Sequence, residues 1–279
     1  MPVMRKICRE CYSEPEAVYE KLKRLGMDLV TVTDHDSIDA VEILRRHSDF
    51  FLSEEVTCTM PSGTEAHVAV YDIGERQHIE IQRRRNDLPS LVAYLTEQDI
   101  LFSLNHVFSS LTGHRDRTDF YWFEDGFPVL EVFNGQLLPY HNRMAMELAG
   151  SWNRSSAGGS DAHTLFSVGS AYTEVRGART TGEFLEGLKQ GRASVHGRAG
   201  NYWKLTRDVL WIALQMIREK PITAALLPLA LAIPVITGAN YLVEARFARM
   251  WTRNVMGPSK GRNGVSAPSL PLDSEEVAV

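Results

Sequence analysis

The stretch "DLVTVTDHDSI", residues 28–38, decides how this chain is read. Leu29, Val30 and Val32 alternate with threonine, the composition of a strand buried in a sheet. The run then ends abruptly in Asp34, His35 and Asp36, and a helical pattern through Ile38, Val41 and Leu44 follows. A strand that delivers ionisable side chains at its end and then gives way to a helix is the repeating unit of an α/β sheet or barrel, whose strand ends gather on one face.

The same grammar recurs on either side. Upstream, Ser13 and Glu16 have capping-box spacing, Pro15 suits a first helical turn, Val18, Leu22 and Leu25 share a face, and Gly26 closes the helix. Downstream, "FFLSEEVTC" (50–58) and "EAHVAVYDI" (65–73) read as strands joined into a hairpin across "MPSG". A polar helical region over 75–98 precedes strands in "ILFSLNH" (100–106) and "PVLEVFN" (128–134). A helix over 140–149, "SSAGGSDAH" (155–163), "AYTEV" (171–175) and the helix "TGEFLEGLKQG" (181–191) complete the unit near Gly197. Alternating strands and helices imply a mainly parallel sheet or barrel, and no internal repeat is visible.

Length and composition permit this. The chain has 279 residues, 44% hydrophobic and 23% charged, enough for one large core. A net charge of -5 argues against a broad phosphate-binding surface, although Arg83–Arg85 form a local cationic cluster. Three cysteines are too few for a disulfide framework, and the Cys8/Cys11 pair has no companion at zinc-site spacing. The N-terminus lacks the apolar core of a signal peptide, so a cytoplasmic setting is expected.

Beyond Tyr202 the character changes. "YWKLTRDVLWIALQMIREK" is amphipathic, and 221–243 contains no charged residue, a length that could cross a bilayer. Pro228, Pro234 and Gly238 suit a membrane helix better than a soluble one. The expected division is a barrel over 1–200, amphipathic and apolar helices over 201–255 acting as a membrane anchor, and a disordered tail over 256–279.

The chemistry lies in the polar residues at strand ends: Asp34, His35, Glu55, His67, His106, Asp161 and His163. Any one of them reads as an ordinary hydrogen-bonded residue or helix cap. Five successive strand candidates each ending in a ligand type do not. Imidazoles and carboxylates without thiolate suit zinc, manganese or iron(II).

These residues resemble the PHP (polymerase and histidinol phosphatase) domain of metal-dependent phosphoesterases. "TDHDSI", "EEVT", "HVAVYDI", "LNHVF" and "GGSDAH" look like successive motifs of that family, spanning roughly Ser13 to Gly197. The resemblance implies a distorted (β/α)7 TIM-like barrel with up to three metal ions at its mouth. It further implies that Glu55 bridges two ions, His67 and His106 complete one site, Asp161 serves the other, and His35 and His163 hold a third. The family opens with a strand bearing H-x-H, whereas this chain has no histidine before His35, so the first strand is expected to be missing.

The function expected is hydrolysis of a phosphate ester by metal-activated water, with Glu55 beside the attacking water and Asp34 and Asp36 orienting His35. Arg115, Arg143, Asn134 and Asn142 are candidate pocket residues. The substrate expected is a phosphorylated small molecule or nucleotide; nucleic acid is compatible but not indicated. Two alternatives compete: a membrane-tethered remnant with an impaired site, and a metal-dependent hydrolase of a non-phosphate bond such as an amide.

Overall fold

The computed structural model describes residues 11–256. The first described element is helix α1 (Pro15–Arg24), whose first turn carries Pro15; its cap is Glu14 without a side-chain hydrogen bond, so the Ser13 capping box does not form. Glu16 instead pairs with Arg46 and His47. Strand β1 (Thr33–His35) follows, and the helix expected after it shrinks to a 3-10 turn at Glu42–Arg46.

The expected hairpin forms: β2 (Ser53–Thr59) and β3 (Glu65–Tyr71) pair antiparallel. The polar helical region divides into α2 (Glu75–Arg84) and α3 (Leu88–Glu97), because Asp87 caps a new helix with Pro89 in its first turn. Next come β4 (Phe102–Leu104), α4 (Asp119–Gly126), β5 (Val129–Asn134), α5 (Pro139–Ser151) and β6 (Ser155–Gly159). The unit closes with β7 (Ala171–Val175), α6 (Thr181–Lys189) and β8 (Ala193–Gly197), Thr180 and Glu183 forming a capping box at α6.

Strands β1 to β6 make one curled sheet in that order, and β7 and β8 form a separate antiparallel pair. The sheet is mixed, with three parallel pairings and two antiparallel ones where the hairpin turns β3 against both β2 and β4. Among the described strands it does not close into the (β/α)7 barrel expected from the motifs: β1 and β6 are its two ends. Residues of both end strands line one cleft of about 1680 Å³.

The core lies on the sheet face away from that cleft. Val56, Cys58, Val68 and Val70 of the hairpin pack there with Ile81 of α2 and Leu91 and Leu95 of α3. Alternation sends Glu55, Thr57 and His67 to the opposite face.

The C-terminal segment departs from expectation. After α7 (Tyr202–Glu219), residues 221–243 do not form one apolar rod: a 3-10 turn (Pro221–Leu226), a four-residue helix α8 (Leu227–Ala230) and then α9 (Ile233–Met256) replace it. Pro228 and Pro234 interrupt the run. Among the described residues no helix is long and apolar enough to cross a membrane. Instead α9 joins the core: Trp251 stacks on Phe120 at 5.3 Å, and the Ser110 amide shares its one hydrogen between both carboxylate oxygens of buried Glu244, each at 3.1 Å. Cys8 and the expected tail beyond Met256 lie outside the described residues.

Candidate metal centre

Sheet register builds the centre. Parallel pairing sets His35 opposite Glu55, and antiparallel pairing sets Thr57 opposite His67, so Glu55 and His67 are diagonal neighbours on one face. The β3–β4 pairing continues beyond β4, with the Asn105 amide donating to the His67 carbonyl at 3.0 Å, and His106 comes next. Four residues far apart in sequence thus fall in one row across four strands.

Their tips converge. Glu55 Oε1 lies 3.5 Å from His67 Nδ1 and 3.4 Å from His106 Nε2, which are 3.0 Å from each other. His35 Nε2 stands 3.5 Å from Glu55 Oε2. His35, Glu55 and His67 each offer a ligand atom, all within 4.8 Å of one another. Nitrogen and oxygen ligands bound to zinc at ~2.1 Å are separated from each other by about 3.4 Å in a tetrahedron. The spacing therefore fits a divalent ion, and the donor set of imidazoles and carboxylate fits zinc, manganese or iron equally. His106 Nδ1, buried, has no hydrogen-bond partner among the described residues.

A hydrogen-bond relay holds Glu55. Its Oε1 accepts from Asn105 Nδ2 at 2.8 Å, Asn105 Oδ1 accepts from Ser103 Oγ at 3.0 Å, and Ser103 Oγ bonds Tyr71 Oη at 2.7 Å. Burial alone would raise the Glu55 pKa, but hydrogen bonds with His106 and His67 hold it well below the usual carboxylate range. Burial opposes charge on His106 too, yet the Glu55 contact outweighs it and lifts the imidazole to about 9. Burial lowers His67.

The second half of the centre hangs from β5. Glu131 is buried beside His106, whose backbone amide donates to Glu131 Oε2 at 2.8 Å. Desolvation pushes the Glu131 carboxyl up to about 7. Asn134 Nδ2 bridges Glu131 to Asp161, reaching Asp161 Oδ2 at 3.0 Å. Asp161 thereby joins the group through Asn134, while His163 stays at the rim, its side chain 38% exposed and its Nδ1 3.1 Å from the Asp161 carbonyl. Asp36, His106 and Asp161 all have left-handed backbone, with φ of 54°, 31° and 45°. Such conformations are costly in non-glycine residues and cluster at functional turns.

Several expected roles are reassigned. The Asp36 carboxylate does not orient His35: it accepts from the Thr57 amide at 2.9 Å and pairs with Arg85 at 2.7 Å, bracing the strand end. Asp34 lines the cleft wall, its carboxyl raised by burial with His35 as its electrostatic neighbour. Arg115 is buried, donates to the Glu65 carbonyl and lies over Phe123, and it is not among the described residues that line the cleft. Arg143 is exposed beside Tyr140. Asn142 supports the site indirectly, its side chain exchanging hydrogen bonds of 3.0 Å with the Asn134 backbone. Sequence reasoning missed Glu131 and Asn105. A lone acid inside the apolar run "PVLEVFN" was the available signal for the first, since an unpaired buried carboxylate is expensive.

A family model described as PHP-associated matches residues 139–193. Among curated proteins, no relative matches the chain. The fold is similar to that of PsfC from Pseudomonas syringae, at 17% identity and a TM-score of 0.53, over 72% of this chain and 88% of that one. Weaker likenesses link it to a candidate metal-dependent phosphoesterase of Bifidobacterium adolescentis (14% identity, TM-score 0.43, 55% of this chain and 84% of that one). Another is the lesion-specific endonuclease PfuEndoQ from Pyrococcus furiosus (19%, TM-score 0.48), matched over 64% of this chain and 52% of that one. The resemblance to the PHP family carried by the strand-end motifs is therefore met by a PHP-associated segment within this chain.

Proposed function

We propose that this chain is a metal-dependent hydrolase that cleaves a phosphate ester of a small molecule or nucleotide. The observation that carries the reading is the convergence of Glu55 Oε1, His67 Nδ1 and His106 Nε2 at 3.0 to 3.5 Å from one another. The PHP-associated match supports the choice of phosphoester over other scissile bonds. Both end strands of the sheet line the cleft, which supports reading the fold as a distorted (β/α)7 barrel opened at one strand position.

When bound, divalent ions, up to three on the family pattern, neutralise phosphate charge and activate water near neutral pH. Glu55, His67 and His106 would hold one ion, with His35 beside the same carboxylate from β1, and Asp161 and His163 would serve further positions. Asn105 fixes the angle of Glu55, and Asn134 fixes Asp161. Glu131 supports the cluster from below, its carboxylate accepting from the His106 amide and from Asn134.

The cleft also limits the substrate. Asp34, Glu55, Glu131, Asp161 and Glu174 lie on its wall, and Arg218 is the one Lys or Arg among its described lining residues. A long polyanion such as nucleic acid would be repelled there, whereas a small phosphoester can enter with its charge cancelled by the ions.

The test is hydrolysis of p-nitrophenyl phosphate and bis-p-nitrophenyl phosphate with Mn²⁺ or Zn²⁺, beside an acyl p-nitroanilide. Turnover of a phosphoester that is abolished by His106→Ala supports the proposal. Turnover of the anilide alone would assign an amide hydrolase, and absence of both metal binding and turnover would assign a non-catalytic remnant.

A further inference from the structure

The C-terminal helix α7 lies outside the expected catalytic unit, yet its first turns reach the site. Asp208 is 2% exposed. Its Oδ1 accepts from Thr164 Oγ1 at 2.9 Å, and its Oδ2 accepts from Gln136 Nε2 at 3.1 Å and from Ser167 Oγ. Thr164 and Ser167 belong to the loop that carries Asp161 and His163. Gln136 belongs to the turn organised by Asn134, whose Oδ1 accepts from the Gln136 amide at 2.8 Å and whose Nδ2 holds Asp161. One carboxylate thus grips both the loop bearing a metal ligand and the turn that orients that ligand.

Lys204, one helical turn earlier on the same face, repeats the stitch: its Nζ donates to the Gly135 carbonyl and to Ser170 Oγ at 3.0 Å. Backbone approach here leaves no slack. A Cβ on Gly135 would sit 2.8 Å from the Ser160 carbonyl oxygen, and one on Gly200 would sit 1.9 Å from that of Gln136. Taking a carboxylate out of water is costly, and a helix could be docked on these loops by apolar contacts alone. A buried acid answering three donors from two site loops fixes their relative position as apolar packing would not.

We infer that Asp208 is a positioning residue, which sets the Asp161 half of the metal centre by locking the 164–170 loop onto the Asn134 turn. The inference rests on the metal-dependent reading of the site. It predicts a division: the Glu55, His67 and His106 corner, held by sheet register, is indifferent to Asp208, while the Asp161 side depends on it.

The experiment titrates the whole chain with Mn²⁺ by calorimetry and measures kcat and KM for the phosphoester it hydrolyses best. Asp208→Ala is expected to lose the same Mn²⁺ equivalents as Asp161→Ala and to keep the rest. Its kcat should fall about 10–100-fold, the usual cost of losing a ligand-orienting partner, with KM little changed. Asp208→Asn, which keeps shape and some acceptor capacity, should recover part of the loss. Should Asp208→Ala fail to fold, the double variant Thr164→Val, Ser167→Ala removes the loop side of the clasp and must show the same selective loss. Wild-type stoichiometry and kcat in these variants, or loss of every Mn²⁺ equivalent together, would overturn the inference while leaving the hydrolase reading intact. A wild-type chain that neither binds Mn²⁺ nor turns over would overturn both.

Discussion

The two halves of the proposed metal centre are built by different means. The Glu55, His67 and His106 corner is written largely into sheet pairing: Glu55 and His67 sit on paired strands and His106 just beyond one, at 9%, 8% and 4% exposure, with register bringing the first two together and a left-handed turn adding the third. The Asp161 and His163 half sits on the loop after β6, half-exposed, and reaches the corner through Asn134. Ladder hydrogen bonds are many and cooperative, whereas a loop is only as fixed as the side chains that tie it down. The corner should therefore be the tight, preformed ion site, and the loop half the weaker and adjustable one.

The sharpest way to break this comparison is to remove the corner's shared ligand. Glu55→Ala is expected to cost roughly 10³-fold or more in turnover, since a bound ion supplies several kcal/mol of transition-state stabilisation. It should also abolish the tightest Mn²⁺ binding seen by calorimetry; a variant that retains either would dissolve the distinction. Asp161→Ala should do less, lowering kcat about 10–100-fold and leaving the tight ion in place. Equal damage from the two would mean that the halves are one inseparable site.

Acidity separates the halves in another way. In metal-free protein His106 is raised from 6.5 to about 9, so the stability it contributes is complete below 6.5 and is lost as pH rises through about 9. Glu131 is raised from 4.5 to about 7, so its contribution is complete below 4.5 and lost through about 7. Both act in the same direction. Above about pH 6.5, where the lowered His67 no longer opposes them, urea midpoints measured in chelator should fall steadily to alkaline pH, and saturating Mn²⁺, which competes with the His106 proton, should flatten or reverse the trend. A midpoint that rises with pH over that range in chelator would contradict the assigned environments. The smallest effect belongs to the rim: His163→Ala should change kcat only a few-fold and leave the urea midpoint unmoved.

Much of this centre was legible before any coordinates. An apolar run that stops at an acid or imidazole marks a strand end, and strand ends in α/β folds converge, so His35, Glu55, His67, His106 and Asp161 could be named together. Their supports were legible only in part. Asn134 and Asn142 stand out as polar residues at and beyond a strand end, whereas Asn105 acts on Glu55, 50 residues away, and nothing local distinguishes such an amide from a turn residue. Asp36 misled for the opposite reason: adjacency to His35 suggested an orienting role, but strand alternation and a left-handed backbone turn it toward Arg85.

The C-terminal segment shows how composition can mislead about architecture. A charge-free run over 221–243 has the length of a bilayer span, and the count stops one residue short of Glu244. That carboxylate is buried against the amide of Ser110, in the loop that follows His106, with His141 Nε2 3.7 Å away. Glu244→Ala should therefore destabilise the chain by about 1–3 kcal/mol, the cost of stranding a buried donor.

The most direct measurement is an anomalous-difference map from crystals of the whole chain grown with Mn²⁺, recorded at the manganese absorption edge. The account predicts its strongest peak between Glu55 Oε1, His67 Nδ1 and His106 Nε2, with any weaker peak on the Asp161 side. Ordered side chains at that corner with no peak between them, in crystals where manganese is bound elsewhere or not at all, would contradict it.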